Sequence, residues 1–172
     1  MQLQQTVRIK SFTTSYSGLS NVLKNDVYIT EAFDLSKNSN FEKMLKDKFT
    51  AIWDTGATNS VISQKIVDQC NLKPIGVAEV HSPGGSFKTN KYLINLFLPN
   101  YVAIPYFMVI KGQITGDANV LIGMDIISNG DFAVTNKDNK TVFTFRIPSV
   151  VCIDFVKDYK EKSTNGRNEP LP

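Results

Sequence analysis

Histidine is nearly absent from this chain: His81 is the single one among 172 residues. A multi-histidine metal centre is thereby excluded. A His-based catalytic triad has one candidate, and no serine or cysteine sits in a recognisable nucleophile motif to serve it. Cysteine is almost as scarce. Cys70 and Cys152 lie outside any CxxC spacing, so they form no disulfide framework or metal knot, and two reduced thiols in a reducing compartment are expected. Charge of one sign is also missing. Nineteen basic residues against sixteen acidic ones leave a net charge of +3, and they interleave, as in Lys46-Asp47-Lys48 and Lys157-Asp158-Tyr159-Lys160-Glu161-Lys162. This is a solvated surface rather than a nucleic-acid footprint. No long hydrophobic run occurs either. The longest, Tyr101 to Ile110, is broken by Pro105, whereas a membrane-spanning helix needs about 20 apolar residues. Met1-Gln2-Leu3-Gln4-Gln5 lacks the pattern of a secretory signal. The expected setting is cytoplasmic, with no membrane and no nucleic acid as partner.

What is present suits one soluble domain with a core of its own: 42% hydrophobic and 20% charged residues. Most of the chain has strand grammar. Val7 to Phe12 alternates apolar and polar residues, and Val27-Tyr28-Ile29 is a second β-rich run. Further strands are expected at Lys48 to Trp53, Glu79 to Ser82, Lys91 to Leu98, Tyr106 to Ile110, Val120 to Ile122, Phe132 to Asn136 and Thr141 to Ile147. Turn signals separate them, among them Pro83-Gly84-Gly85, Thr115-Gly116-Asp117 and Lys137-Asp138-Asn139. Such spacing predicts an all-β barrel or sandwich.

Three helical segments interrupt this pattern. Ser39-Asn40-Phe41-Glu42 has the form of a capping box, which predicts a short amphipathic helix from Asn40 to Asp47. Its Phe41, Met44, Leu45 stripe belongs to core or dimer contact. Ser63 to Cys70 forms a second, with Ser63 as N-cap. Asp125 to Asn129 forms a third, with Asp125 capping it and Gly130 ending it. Asp117 and Asp131 read as turn residues. From about Lys157 to Pro172 the chain is polar without apolar period, and a mobile tail is expected.

The chemistry concentrates in Thr50-Ala51-Ile52-Trp53-Asp54-Thr55-Gly56-Ala57-Thr58. Here an apolar strand delivers a carboxylate to its end, and a glycine then turns the backbone. Two carboxylates so placed, brought together, hold one proton between them and activate a water. Asp-Thr-Gly occurs once, which excludes an internal duplication that would supply both. On its own this tripeptide is an ordinary turn. Two later elements change its weight: Val80-His81-Ser82-Pro83-Gly84-Gly85-Ser86-Phe87, a glycine turn between strand runs, and Val120-Leu121-Ile122-Gly123-Met124-Asp125, two hydrophobics followed by glycine.

In that order the three elements resemble the retropepsin-like aspartic proteases, nearest the retroelement-type and bacterial members, over about Thr50 to Pro148. The resemblance implies an all-β closed barrel of the acid-protease fold, one lobe per chain, with two or three short helices. Residues 1–49 would be a β extension with a short helix packed on the same domain, 50–148 the protease core, and 149–172 a C-terminal segment. It implies catalysis by Asp54, Thr55 and Gly56, with Thr55 bonding across the dimer axis. Thr58 would donate to the outer oxygen of Asp54, and Ile52, with Trp53, would anchor that residue to the core. Strand alternation sends Trp53 away from the cleft. Ala57, Thr58, Pro83, Gly84 and Gly85 would face substrate or form the flap. Leu121, Ile122, Gly123 and Asp125 would support the loop, and Ile62, Pro83 and Ile104 are candidate pocket walls. The partners implied are a second copy of the chain and an extended polypeptide. No cofactor and no metal is implied.

The long N-terminal extension departs from compact members of the family. If its helix covered the cleft, activity would be latent. The rival function is a catalytically silent module of the same fold that binds peptides or mediates dimerisation. A third reading, hydrolysis around His81, is the weakest.

Overall fold

The computed structural model describes residues 9–38, 40–82 and 85–164. Two sheets enclose the core, and each follows from where apolar side chains alternate. The smaller sheet joins β1 (Lys10–Ser15), β10 (Val142–Ile147) and β9 (Asp131–Thr135), antiparallel in that order. Phe12, Phe143 and Phe145 point inward while Ser11, Thr13 and Thr144 point outward, the period-two pattern of a half-buried sheet.

The larger sheet runs β2 (Lys24–Glu31), β3 (Lys48–Trp53), β8 (Val120–Ile122), β4 (Val61–Ile62), β7 (Val102–Lys111), β6 (Gly85–Leu98) and β5 (Gly76–Ser82). Pairing of β2 with β6 closes six of these strands into a ring and leaves β5 outside it. The fold is thus mostly β with a few short helices, as the sequence predicts. Strands β1 and β2, from the first 49 residues, pair with β10, β3 and β6 of the later chain.

Between the sheets sits an aromatic cluster. The Trp53 ring lies 5.0 Å from both Phe143 and Phe145, and within 6 Å of Phe12 and Phe132. Its Nε1–H donates to Asn25 Oδ1, so the one polar atom of the indole is satisfied in the core. The Trp53 indole thus packs between the sheets, and it, rather than the half-buried Ile52, is the core anchor.

Several expectations are corrected. Instead of a helix from Asn40 to Asp47 there is a single 3-10 turn, Phe41–Met44, without a side-chain cap from Asn40. The turn is closed by bonds from Lys43 N–H to Asn40 O and Leu45 N–H to Glu42 O, and Phe41 stacks on Phe97 with centroids 5.3 Å apart. Ser39, half of the supposed capping box, lies outside the described residues.

Helix α1 (Gln64–Gln69) buries Ile66 and Val67, but the Ser63 hydroxyl makes no cap bond. Helix α2 is one turn, Met124–Ile127. Gly130 does not end it through a left-handed cap. It is needed because a Cβ there would lie 2.2 Å from the Arg146 carbonyl oxygen and 2.6 Å from the Phe145 ring.

Asp131 opens β9 rather than a turn, held by Arg146, Ser149 and the Val150 N–H. The supposed tail begins as α3 (Phe155–Thr164), whose first N–H groups, Val156 and Lys157, donate to Asp154 Oδ1 at 3.0 Å. The rest of that tail, 165–172, and the start of the first predicted strand, Val7 and Arg8, lie outside the described residues. None of the described helices is long and apolar enough to cross a membrane.

Candidate active site

Strand β8 lies between β3 and β4, parallel to the first and antiparallel to the second. The loop from Asp54 to Ser60 must therefore arch over the end of β8. The Asp54 N–H continues the ladder by donating to Ile122 O at 2.9 Å. The turn then folds back on the carboxylate: Gly56 N–H donates to Asp54 Oδ1 at 2.8 Å, and Ala57 N–H to Asp54 O at 3.2 Å. A Cβ on Gly56 would come within 3.1 Å of that same Oδ1, so only glycine leaves the carboxylate uncrowded.

The arch is pinned from below by the start of α2. Met124 N–H donates to Ala57 O at 2.8 Å and Asp125 N–H to Thr58 O at 3.2 Å. The Asp125 carboxylate does not cap its own helix. Its Oδ2 accepts from Ser60 N–H and its Oδ1 from the Ser60 hydroxyl, both at 2.7 Å. Ser60 Oγ in turn accepts the buried Gly123 N–H at 3.0 Å. The two bonds to the half-buried Asp125 carboxylate join a carboxyl to the buried Ser60. At Gly123 a Cβ would meet Ala57 O and Asn59 C at 2.8 Å, all backbone that cannot swing aside. Leu121 is half-buried and Ile122 fully buried beneath.

Sequence reasoning passed over Ser60. Its signal was faint, a serine two residues after Thr58 with no local partner. Thr58 itself is engaged through its carbonyl and not through donation to Asp54.

Asp54 is half-buried and Thr55 and Gly56 are exposed. Asp54 and Thr55 open into a groove of about 450 Å³ whose other walls include Val22, Leu23, Ile52, Trp53, Phe132 and Val134. Of the suggested pocket walls, Ile62 is fully buried and faces no cleft. Ile104 lines a separate cavity with Phe107, Ile126 and Pro148. Pro83 and Gly84 lie outside the described residues, as does the His81 side chain. The hairpin they belong to is paired up to Ser82 opposite Gly85, which has φ +116°. Beyond the ring this hairpin is exposed on both faces, with Val77 and Phe87 bare.

The thiols are remote from this chemistry. Burial, reinforced by Asp47, pushes Cys70 up to about 11, and its Sγ lies 3.4 Å from Ile29 O. Cys152 is exposed and free.

No protein-family model matches the sequence, and no curated protein does. Among solved structures, the chain is similar to a retropepsin-like aspartic protease from Rickettsia conorii, at 9% identity and a TM-score of 0.49, over 81% of this chain and 96% of that one. It is also similar to EIAV protease in complex with an inhibitor, at 17% identity and a TM-score of 0.44, over 66% of this chain and 90% of that one. A third is simian foamy virus protease, at 14% identity and a TM-score of 0.41, over 62% and 92%.

Proposed function

We propose that this chain is an aspartic endopeptidase that acts as a homodimer, with residues 50–148 as its protease core and the first 49 residues built into the same domain. One observation carries the reading: Asp54 is held at the mouth of an open groove by a loop pinned over Gly123 by the Ser60–Asp125 pair. This network satisfies the buried Gly123 N–H and ties the loop from Asp54 to Ser60 down onto α2. It also fits a carboxylate that has to be held in position.

The chemistry follows from pairing two such sites. With one Asp54 from each copy facing the other, a single proton is shared, because two like charges a few ångströms apart do not both form. The ionised carboxylate takes a proton from a water lying between them, and that water attacks the scissile carbonyl carbon. The protonated carboxyl donates to the carbonyl oxygen, giving a tetrahedral diol. Collapse of the diol returns a proton to the leaving amine and breaks the C–N bond. No covalent intermediate forms.

In this reading Thr55, exposed beside Asp54, bonds across the two-fold axis, and Gly56 N–H fixes one carboxylate oxygen. Substrate binds as an extended strand, through backbone hydrogen bonds and side-chain pockets. The β5–β6 hairpin, with Gly85 at its turn, closes over it and excludes water.

The test incubates the protein with a proteome-derived peptide library between acidic and neutral pH, beside Asp54→Asn, and reads new termini by mass spectrometry. Cleavage by the wild type that disappears in the variant is expected. Equal cleavage by both, or none by a demonstrably dimeric wild type, would sink the proposal.

A further inference from the structure

Register across the larger sheet sets one row of residues side by side. Ile52 of β3 stands opposite Leu121 of β8, and Leu121 opposite Val61 of β4. Val61 is opposite Ile110 of β7, and Ile110 opposite Lys91 of β6. Directly paired residues share a face of the sheet, and this row lies on the face away from the core. Ile52, Leu121, Val61 and Ile110 are half-buried, while their chain neighbours Trp53, Ile122, Ile62 and Val109 are buried. Ile52 also walls the groove that opens at Asp54 and Thr55. The row therefore leads from the candidate active site across the sheet.

Four apolar side chains end on a cation. Lys91 is half-buried, and among the described residues its ammonium makes no ion pair and no hydrogen bond. Nearby lysines are accounted for. Lys111 donates to Gln64 Oε1 at 2.9 Å. Lys88 has Glu79 directly opposite, three positions along β6 from Lys91 and so on its other face. The residue facing Lys91 from β5 is Gly76, which brings no side chain, and a Cβ there would meet no atom within 4 Å. Open space thus adjoins an unpaired cation at the end of a neutral row.

We infer that Lys91 selects an acidic side chain in the polypeptide cleaved at Asp54. An ammonium so placed attracts a carboxylate and turns away lysine and arginine. Strands lie about 4.8 Å apart, so four steps set Lys91 about 19 Å along the sheet from Ile52. The lysine stem spans part of that, and extended chain advances about 3.3 Å per residue, which puts the acidic residue about three to five positions from the cleaved bond. In a symmetric homodimer each copy supplies one Lys91, and the preference falls on both sides of that bond. This inference rests on the endopeptidase reading and adds to it the substrate class: an extended polypeptide with Asp or Glu set back from the scissile bond.

The test profiles cleavage of a proteome-derived peptide library by the wild type, Lys91→Gln, Lys91→Glu and Lys43→Gln, with far-UV circular dichroism to show that each is folded. Wild-type sites should be enriched in Asp and Glu about three to five positions from the new termini. Lys91→Gln should lose that enrichment, and Lys91→Glu should replace it with Lys and Arg. Lys43→Gln, which removes an exposed charge from the Phe41–Met44 turn, should keep it. A synthetic pair, one cleaved peptide with Glu or Gln four positions before the bond, gives a second reading that needs no variant. The wild type should favour Glu by about three- to fivefold in kcat/KM, the range for one partly exposed ion pair, and high salt should shrink the ratio.

Cleavage without acidic enrichment at those positions, a Glu-to-Gln ratio near one, or enrichment that survives in a folded Lys91→Gln overturns the role of Lys91 and leaves the paired-Asp54 reading intact. No cleavage by the wild type, or equal cleavage by Asp54→Asn, overturns both.

Discussion

Replacing Ser60 by alanine should loosen the active-site loop without touching any residue that meets substrate. Ser60 is 1% exposed, so water does not readily take the place of its hydroxyl. Two bonds are lost at once. The hydroxyl no longer donates to Asp125 Oδ1, a charge-assisted contact of 2.7 Å, worth about 1.5–3 kcal/mol. The Gly123 N–H loses its acceptor at 3.0 Å, and an orphaned buried donor costs about 1–3 kcal/mol. The two terms are not additive, because Ser60 N–H still holds Asp125 Oδ2 and the loop relaxes. A net loss of roughly 3 kcal/mol is expected. With a urea m-value of about 2 kcal/mol/M, the unfolding midpoint falls by about 1.5 M. The measurement is made at one protein concentration, since dimerisation would otherwise shift the midpoint. Thr58→Ala serves as control: that side chain is exposed, and a change within about 0.5 kcal/mol is expected. A Ser60→Ala midpoint within the same margin would refute the claim that this pair holds the loop.

Other outcomes follow from the same geometry. Gly123→Ala keeps an ordinary extended backbone, φ −97°, so its effect is steric. Its methyl would press on Ala57 and Asn59 backbone, costing about 1–3 kcal/mol, and peptide cleavage should drop further than thermal stability suggests. Asp131 is held down to about 2 by Ser149, Val150 N–H and Arg146. A carboxylate depressed in the folded state stabilises above its unfolded value of about 4 and loses that contribution as pH falls toward 2. Asp131→Asn should therefore flatten the acid side of the stability profile between those limits, and an unaltered profile there would contradict this. For the thiols, an alkylating reagent at pH 8 should modify exposed Cys152 well before Cys70, since Cys70 is protonated there. Peptide mapping that found Cys70 modified first would overturn the assignment of its burial.

Much of the architecture was readable in local pattern. Lys48–Trp53 and Val120–Ile122 occur with the predicted bounds, because alternation and β-branched residues leave a short strand little else to do. The Asp54 turn was readable for the same reason: a carboxylate and a glycine at a strand end have few alternative conformations. Helix signals fared worse. The segment at Phe41 makes one 3-10 turn with its ring stacked on Phe97 and goes no further as a helix, and α3 forms under an Asp154 cap in a segment that lacks apolar period. Strand β4, only two residues long, exists because β7 and β8 flank it, and nothing in Val61-Ile62 itself announces it.

The candidate site divides along the same line. Asp54, Thr55, Gly56 and the glycine of Leu-Ile-Gly-Met-Asp are visible as words in the chain, although the need for that last glycine, Gly123, comes from the distant backbone of Ala57 and Asn59. The bond from Asp125 to Ser60, the indole of Trp53 turned onto Asn25, and the groove wall shared by Val22, Phe132 and Val134 each join residues far apart in sequence. Short-range propensity sets the strands and the turn. Only the closing of the sheets decides which side chain stands beneath the carboxylate and which outward residues line up beside it.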